Sequence, residues 1–210
     1  FHPRLIGLTG TPEEIAEVNE LPPKSLHIPS GIKQTIIFVK RDLLAKLTNK
    51  QYLLINLLEA PILAFILAFI IRYKNADNNS TYFFYFNENI PIYLMMAIIV
   101  ALFMGLTVSA EEIIKDRKIL KRESFLNLSW NSYLLSKIII LFTLSAIQTF
   151  SFTLIGNLLL EIKGMTFTYW VVLFSVSCSA NIIGLNISSA FNSAVTAYIL
   201  IPFLLIPQMV

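Results

Sequence analysis

The strongest constraint on this chain is a repeated one: stretches of about twenty residues that carry almost no charge, at 52–71, 91–108, 138–160, 169–187 and 194–210. A bilayer core about 30 Å thick needs roughly 20 apolar residues in a helix. Each stretch is therefore expected to span a membrane, and only a helix satisfies its own backbone hydrogen bonds there. Composition agrees, because only 14% of the residues are charged and 56% are hydrophobic, whereas a soluble domain carries about 25% charged residues. The expected class is an all-α polytopic transmembrane domain with amphipathic cytoplasmic helices. The net charge of +3 needs no nucleic acid as partner, since cations held on one side of a bilayer explain it.

One densely charged segment, 109–137, separates the second and third runs. Glu111 and Lys115 stand four apart in the favourable order. Ile113, Ile114, Ile119 and Leu120 give the segment an apolar underside, so it is expected to be a helix outside the bilayer. An amphipathic patch follows (Phe125, Leu126, Leu128, Trp130, Tyr133), then Lys137 at the mouth of the third run. Cations fix the orientation. Arg4, Lys24, Lys33, Lys40, Arg41, Lys46 and Lys50 precede the first run, and Lys115, Arg117, Lys118, Lys121 and Arg122 fill the charged segment; the opposite loops hold Arg72, Lys74 and Lys163. The positive-inside rule puts the N-terminal side and 109–137 in the cytoplasm, with Arg72 and Lys74 snorkelling at a span end.

Residues 32–50 alternate an apolar stripe (Ile36, Ile37, Leu43, Leu44, Leu47) with Lys33, Lys40, Arg41, Lys46 and Lys50. That pattern suits a helix lying on a membrane surface or docked on a partner. Residues 19–31 form a linker kept extended by Pro22, Pro23 and Pro29. Residues 1–18 read as a short strand and the start of a helix, with Thr11 as N-cap, Pro12 at the first helical position and Glu14 closing a capping box. Residues 2–15 resemble a segment of the SCO/SenC copper chaperones. That family holds copper through a CxxxC motif and a distant His. Cys178 is the one cysteine here, so no metal site is carried over, and a fusion or frame artefact near 18–19 is the expectation for this orphan fragment.

Three polar residues interrupt the spans. Glu59 lies about two turns into the first and is read either as a pathway residue or as a carboxylate bonded near the interface, since a buried carboxylate is costly unless paired, protonated or wet. Gln148 in the third is expected to join helices. Asn181 belongs to a small, polar stripe with Ser177, Gly184 and Ser188, at a spacing that lets helices approach closely. The loop after the first span carries an aromatic cluster at 82–86, expected at the head-group level.

The run from Glu112 to Lys137 resembles the loop of ABCG-like ABC exporter permeases, particularly bacterial ones that follow an ATPase and an FHA domain. The shared pattern falls on Glu112, Asp116, Arg117, Ile119, Arg122, Glu123, Leu128, Ser129, Tyr133, Ser136 and Lys137. The segments 38–61 and 191–208 also look familial, so the resemblance covers 19–210. It implies a six-span permease half that forms a homodimer and works with two nucleotide-binding domains in a bacterial inner membrane. Residues 32–50 would be its connecting helix and 111–124 its coupling helix, with Glu111, Glu112, Lys115, Asp116, Arg117, Arg122 and Glu123 facing the ATPase. The sixth span of that pattern and the re-entrant segment before it have no counterpart in 19–210. No GxxxxGK[ST] phosphate loop occurs, so the chain itself is not expected to be an enzyme; ATP and Mg²⁺ would sit on the partner. A non-transporting membrane scaffold and a copper-chaperone relative are the rival readings.

Overall fold

The computed structural model describes residues 30–73, 87–123 and 129–209. The expected strand and helix at 1–18, the linker as far as residue 29 and the aromatic cluster at 82–86 lie outside them, while Gly31, expected in the linker, already belongs to the first helix. Among the described residues the chain is helical, with seven helices: α1 (Gly31–Thr48), α2 (Lys50–Tyr73), α3 (Ile90–Ser109), α4 (Glu112–Glu123), α5 (Trp130–Leu159), α6 (Thr166–Ala190) and α7 (Ala194–Met209). They belong to one unit, Gly31–Val210.

Four of them, α2, α3, α5 and α6, form a ring in which each packs on two neighbours: α2 on α5, α5 on α6, α6 on α3 and α3 on α2. With 24, 20, 30 and 25 residues, they are about 30–45 Å long at 1.5 Å per residue and can cross a bilayer. α7 has 16 residues, or about 24 Å, shorter than the full span expected at 194–210. It packs chiefly on α3, burying Ala197 and Ile201 against Leu106. α1 lies against α5 and α4 against α6.

The buried helix contacts are rich in small and polar residues while large apolar side chains cover the outside, unlike a water-soluble fold. On α2, Ala60, Ala64 and Ala68 recur every fourth residue and are fully buried, while Phe65, Ile66, Phe69 and Ile70 face outward. Ala97, Ala101 and Gly105 make the same stripe on α3, and Ser177, Asn181, Gly184 and Ser188 on α6. Lipid tails are as apolar as Leu, so helices gain little by hiding large side chains from them. Small residues that permit close backbone approach, and hydrogen bonds across the gap, hold them together instead.

One boundary departs from what the residues suggest in isolation. The third apolar run is expected at 138, yet α5 starts at Trp130. Its first turns are polar because Tyr133, Ser136 and Lys137 are buried against other helices rather than dissolved in lipid. α5 ends at a turn in which Glu161 takes the left-handed conformation (φ 57°). The Ile162 N–H donates back to Asn157 O at 2.9 Å, satisfying an end carbonyl. Arg72 also serves this terminus, donating to Leu159 O at 2.9 Å and pairing with Glu161 at 3.0 Å. The cation against the charge rule is thus accounted for, because a helix C-terminus attracts positive charge.

Candidate functional site: an ionic hub joining three helices

The most concentrated chemistry lies where α1, α4 and α5 meet. Each contributes two polar residues four apart, hence on one face: Asp42 and Lys46 from α1, Glu112 and Asp116 from α4, Tyr133 and Lys137 from α5. The Lys137 ammonium, 2% exposed, reaches Asp116 Oδ2 at 2.8 Å, Asp42 Oδ1 at 3.1 Å and Glu112 Oε2 at 3.1 Å. Lys46 pairs with the other Glu112 oxygen. The Tyr133 hydroxyl donates to Asp116 Oδ2 at 3.1 Å. The Phe38 ring of α1 meets Tyr133 edge-on with centroids 6.0 Å apart, sealing the hub with Leu141 and Leu185. Taking two lysines and three carboxylates largely out of water is costly, and the mutual pairing offsets that cost only while every member is in place.

α4 is fastened to α6 as well, by two caps that run in opposite directions. A helix start leaves N–H groups without partners. At α4, the Ser188 hydroxyl of α6 accepts two of them, Ile113 N–H at 3.0 Å and Ile114 N–H at 3.2 Å. The end of α6 leaves carbonyls free, and Arg117 of α4 donates to Ser189 O at 2.7 Å and Phe191 O at 3.0 Å, and to the Asn192 side chain. α4 also follows α3 after only Ala110 and Glu111. A short helix with four attachments has no independent freedom to tilt. Displacing it must carry α1, α3, α5 and α6 with it.

The expected coupling residues fall on two sides of α4. Glu112 and Ile113 are buried, and Asp116 and Arg117 point to neighbouring helices. Lys115, Lys118 and Lys121, three residues apart, make an exposed cationic stripe on the opposite side. Glu111 is paired with Lys115. The side chains of Arg122 and Glu123 lie outside the described residues. Asp42 and Lys46 belong to the hub although neither stands out as a site residue in the sequence; the available signal was the recurrence of polar pairs four apart on three segments.

The intramembrane candidates separate in the same way. Gln148 donates to Asn56 O of α2 at 2.9 Å, joining α5 to α2. Asn181 donates to Ser145 Oγ at 2.7 Å, and Ser177 to the same oxygen at 3.0 Å, joining α6 to α5. Both residues join helices. Asn181→Leu is expected to lower stability by about 0.6–1.7 kcal/mol, the range for hydrogen bonds inside a bilayer, as checked by unfolding in mixed micelles. Glu59 is different: it lines an open groove with Tyr52, Asn56 and Phe103.

Apolar helices of spanning length, small-residue helix contacts and a charged hub at one end define a polytopic helical membrane protein. The comparisons narrow the class. Residues 33–210 match the family described as ABC-2 type transporter, and the chain belongs to that family. It is 24% identical over 187 residues to a protein of Medicago truncatula named ABC transporter G family member STR, covering 89% of this chain but 22% of that relative's length. The chain thus spans about a fifth of the relative it matches. No solved structure matches it significantly. The segment 1–32 lies outside the family match.

Proposed function

We propose that the chain is the permease portion of an ATP-driven exporter, acting with a separate nucleotide-binding domain and a second copy of itself. The family supports a membrane domain of an ABC transporter, and the relative's name is that of an ABC transporter. The observation that carries the reading is the mounting of α4. It is fixed to α1, α5 and α6 by Glu112, Asp116, Arg117 and Ser188 and to α3 by the chain itself, yet it leaves Lys118 and Lys121 exposed. Such a helix receives force on one side and delivers it on the other. ATP and Mg²⁺ bind the motor, whose closure moves α4 as a rigid lever and rocks the two permease copies in alternating access. In this reading the hub faces the cytoplasm of a bacterium, as the positive-inside rule predicts.

The cationic stripe is the motor's contact, and the buried residues are the linkage. Changing Lys118 and Lys121 together to Glu is expected to cut permease-stimulated ATP turnover at least fivefold when an ABC ATPase is reconstituted with the chain. The unfolding temperature should stay close to wild type, because both side chains are exposed and surface substitutions move stability by only about 0.5 kcal/mol. Normal stimulation in the double variant would remove α4 from the coupling path. A chain that never co-purifies with such an ATPase would favour a scaffold.

A further inference from the structure

The groove beside Glu59 gives the permease reading a substrate class. Tyr52, Asn56 and Glu59 recur at intervals of four and three along α2, placing them on one face. They line an open groove of about 260 Å³ whose other walls include Phe103 of α3 and Tyr198 of α7. Glu59 is half-buried and has no hydrogen-bond or ion-pair partner among the described residues. A carboxylate at this depth needs a counter-charge, a proton or water. Glu111 and Lys115 stand at the hub end of the same groove and neutralise one another, so the lining is left with the single negative charge of Glu59.

The rest of the lining suits an organic cation. An aromatic face attracts ammonium groups, most strongly where water is scarce. Tyr52 already does so within the chain: the Lys46 ammonium lies 5.0 Å from its ring centroid and that of Lys115 lies 5.9 Å away. Phe103 and Tyr198 add two more rings to the lining that Glu59 shares. One net negative charge, three aromatic rings and an opening among apolar helices are complementary to a monovalent, quaternary or alkylated amine with an apolar tail.

We propose that this groove binds amphiphilic organic cations, with Glu59 as the counter-ion and Tyr52, Phe103 and Tyr198 as the aromatic wall. The proposal rests on the permease reading for its meaning as a substrate site, but binding requires no motor. The test therefore uses the full chain alone in maltoside micelles, with three probes of equal tail length: octyltrimethylammonium, octanol and octyl sulfate. Partition into detergent cancels between protein variants, and affinities of the three probes are compared at free concentrations corrected for each probe's partition into protein-free micelles. The wild type is expected to bind octyltrimethylammonium saturably, one per chain, at least tenfold more tightly than octanol or octyl sulfate.

Glu59→Gln should weaken octyltrimethylammonium about tenfold and leave octanol unchanged, and Glu59→Asp should keep the preference for the cation. Phe103→Leu removes a ring and no charge. It should weaken the cation about threefold, which keeps the proposal testable if Glu59→Gln does not fold. Equal binding of the three probes, or tighter binding of octanol, would mean that Glu59 is protonated and would overturn the proposal. So would a cation preference that survives both Glu59→Gln and Phe103→Leu. Dissociation of a dimer by Glu59→Gln without loss of cation binding would assign the counter-charge to a second copy and overturn it equally. Because no ATPase is present, a failed coupling experiment with Lys118 and Lys121 leaves this result standing, and the converse holds.

Discussion

Replacing Lys137 by Met should cost more stability than any other single side-chain loss in the hub, about 3–5 kcal/mol, the usual penalty for breaking a buried ion cluster by removing one partner. The reason is the asymmetry of what remains. Asp42, Glu112 and Asp116 all converge on this one ammonium, and Lys46 pairs only with Glu112. Without Lys137, Asp42 and Asp116 face an apolar stem in a site closed by Phe38 and Leu141. Lys115→Met provides the comparison, because that side chain is 58% exposed and, among the described residues, forms its ion pair with Glu111 alone. Its expected cost is under about 1 kcal/mol. Unfolding of both variants by denaturant in mixed micelles gives the difference directly. Equal losses would show that the hub is wet and carries no special weight.

Gly105→Leu is the second large effect, and it acts through backbone rather than charge. A Cβ at Gly105 would lie 2.7 Å from Ala180 Cβ and 2.8 Å from the Ser177 carbonyl oxygen. The second of these is main chain and cannot swing aside. α3 and α6 would have to separate along the stripe where Ser177, Ala180 and Gly184 permit contact, and Asn181 and Ser177 would be drawn from Ser145. Overpacking of a tight interior costs about 1–3 kcal/mol for a modest insertion, and Leu adds a whole side chain, so loss of the folded protein from the membrane fraction is expected. Gly31→Ala is the control: its Cβ would stand 3.4 Å from Ser132 Oγ, an ordinary contact. If Gly105→Leu accumulates and unfolds like the wild type, the close approach of α3 and α6 is refuted.

The parts of this architecture legible in the sequence are those set by one residue's own solvent. Ile92, Phe65 and Ile139 face outward, and their type alone says that the outside is lipid. The stripe of Ser177, Asn181, Gly184 and Ser188 reads as a helix contact because small residues at helical spacing have little other use in a bilayer. The features that escaped are those in which a polar residue is dissolved in another helix. Ser132, Ser136 and Lys137 look like a wet loop until Asp42 and Glu112 are placed around them, so the start of α5 could not be read locally. Ser188 gives no local hint that it caps α4, since the N–H groups it accepts are about 75 positions earlier in the chain. Asp42 and Lys46 were masked by their own helix, where they look like part of a cationic surface face.

Accessibility from the two sides of the membrane is the most direct check on the whole arrangement, because the hub, the lever and the orientation all require α4 and the turn after α5 to lie on opposite sides. Single cysteines replacing the exposed Lys118 and Lys163, in a chain with Cys178→Ser, would be exposed to a membrane-impermeant maleimide in intact cells and in inside-out vesicles. The expected result is labelling at position 163 only in cells and at position 118 only in vesicles. Labelling of both positions from the same side, or of position 118 from outside intact cells, would contradict it.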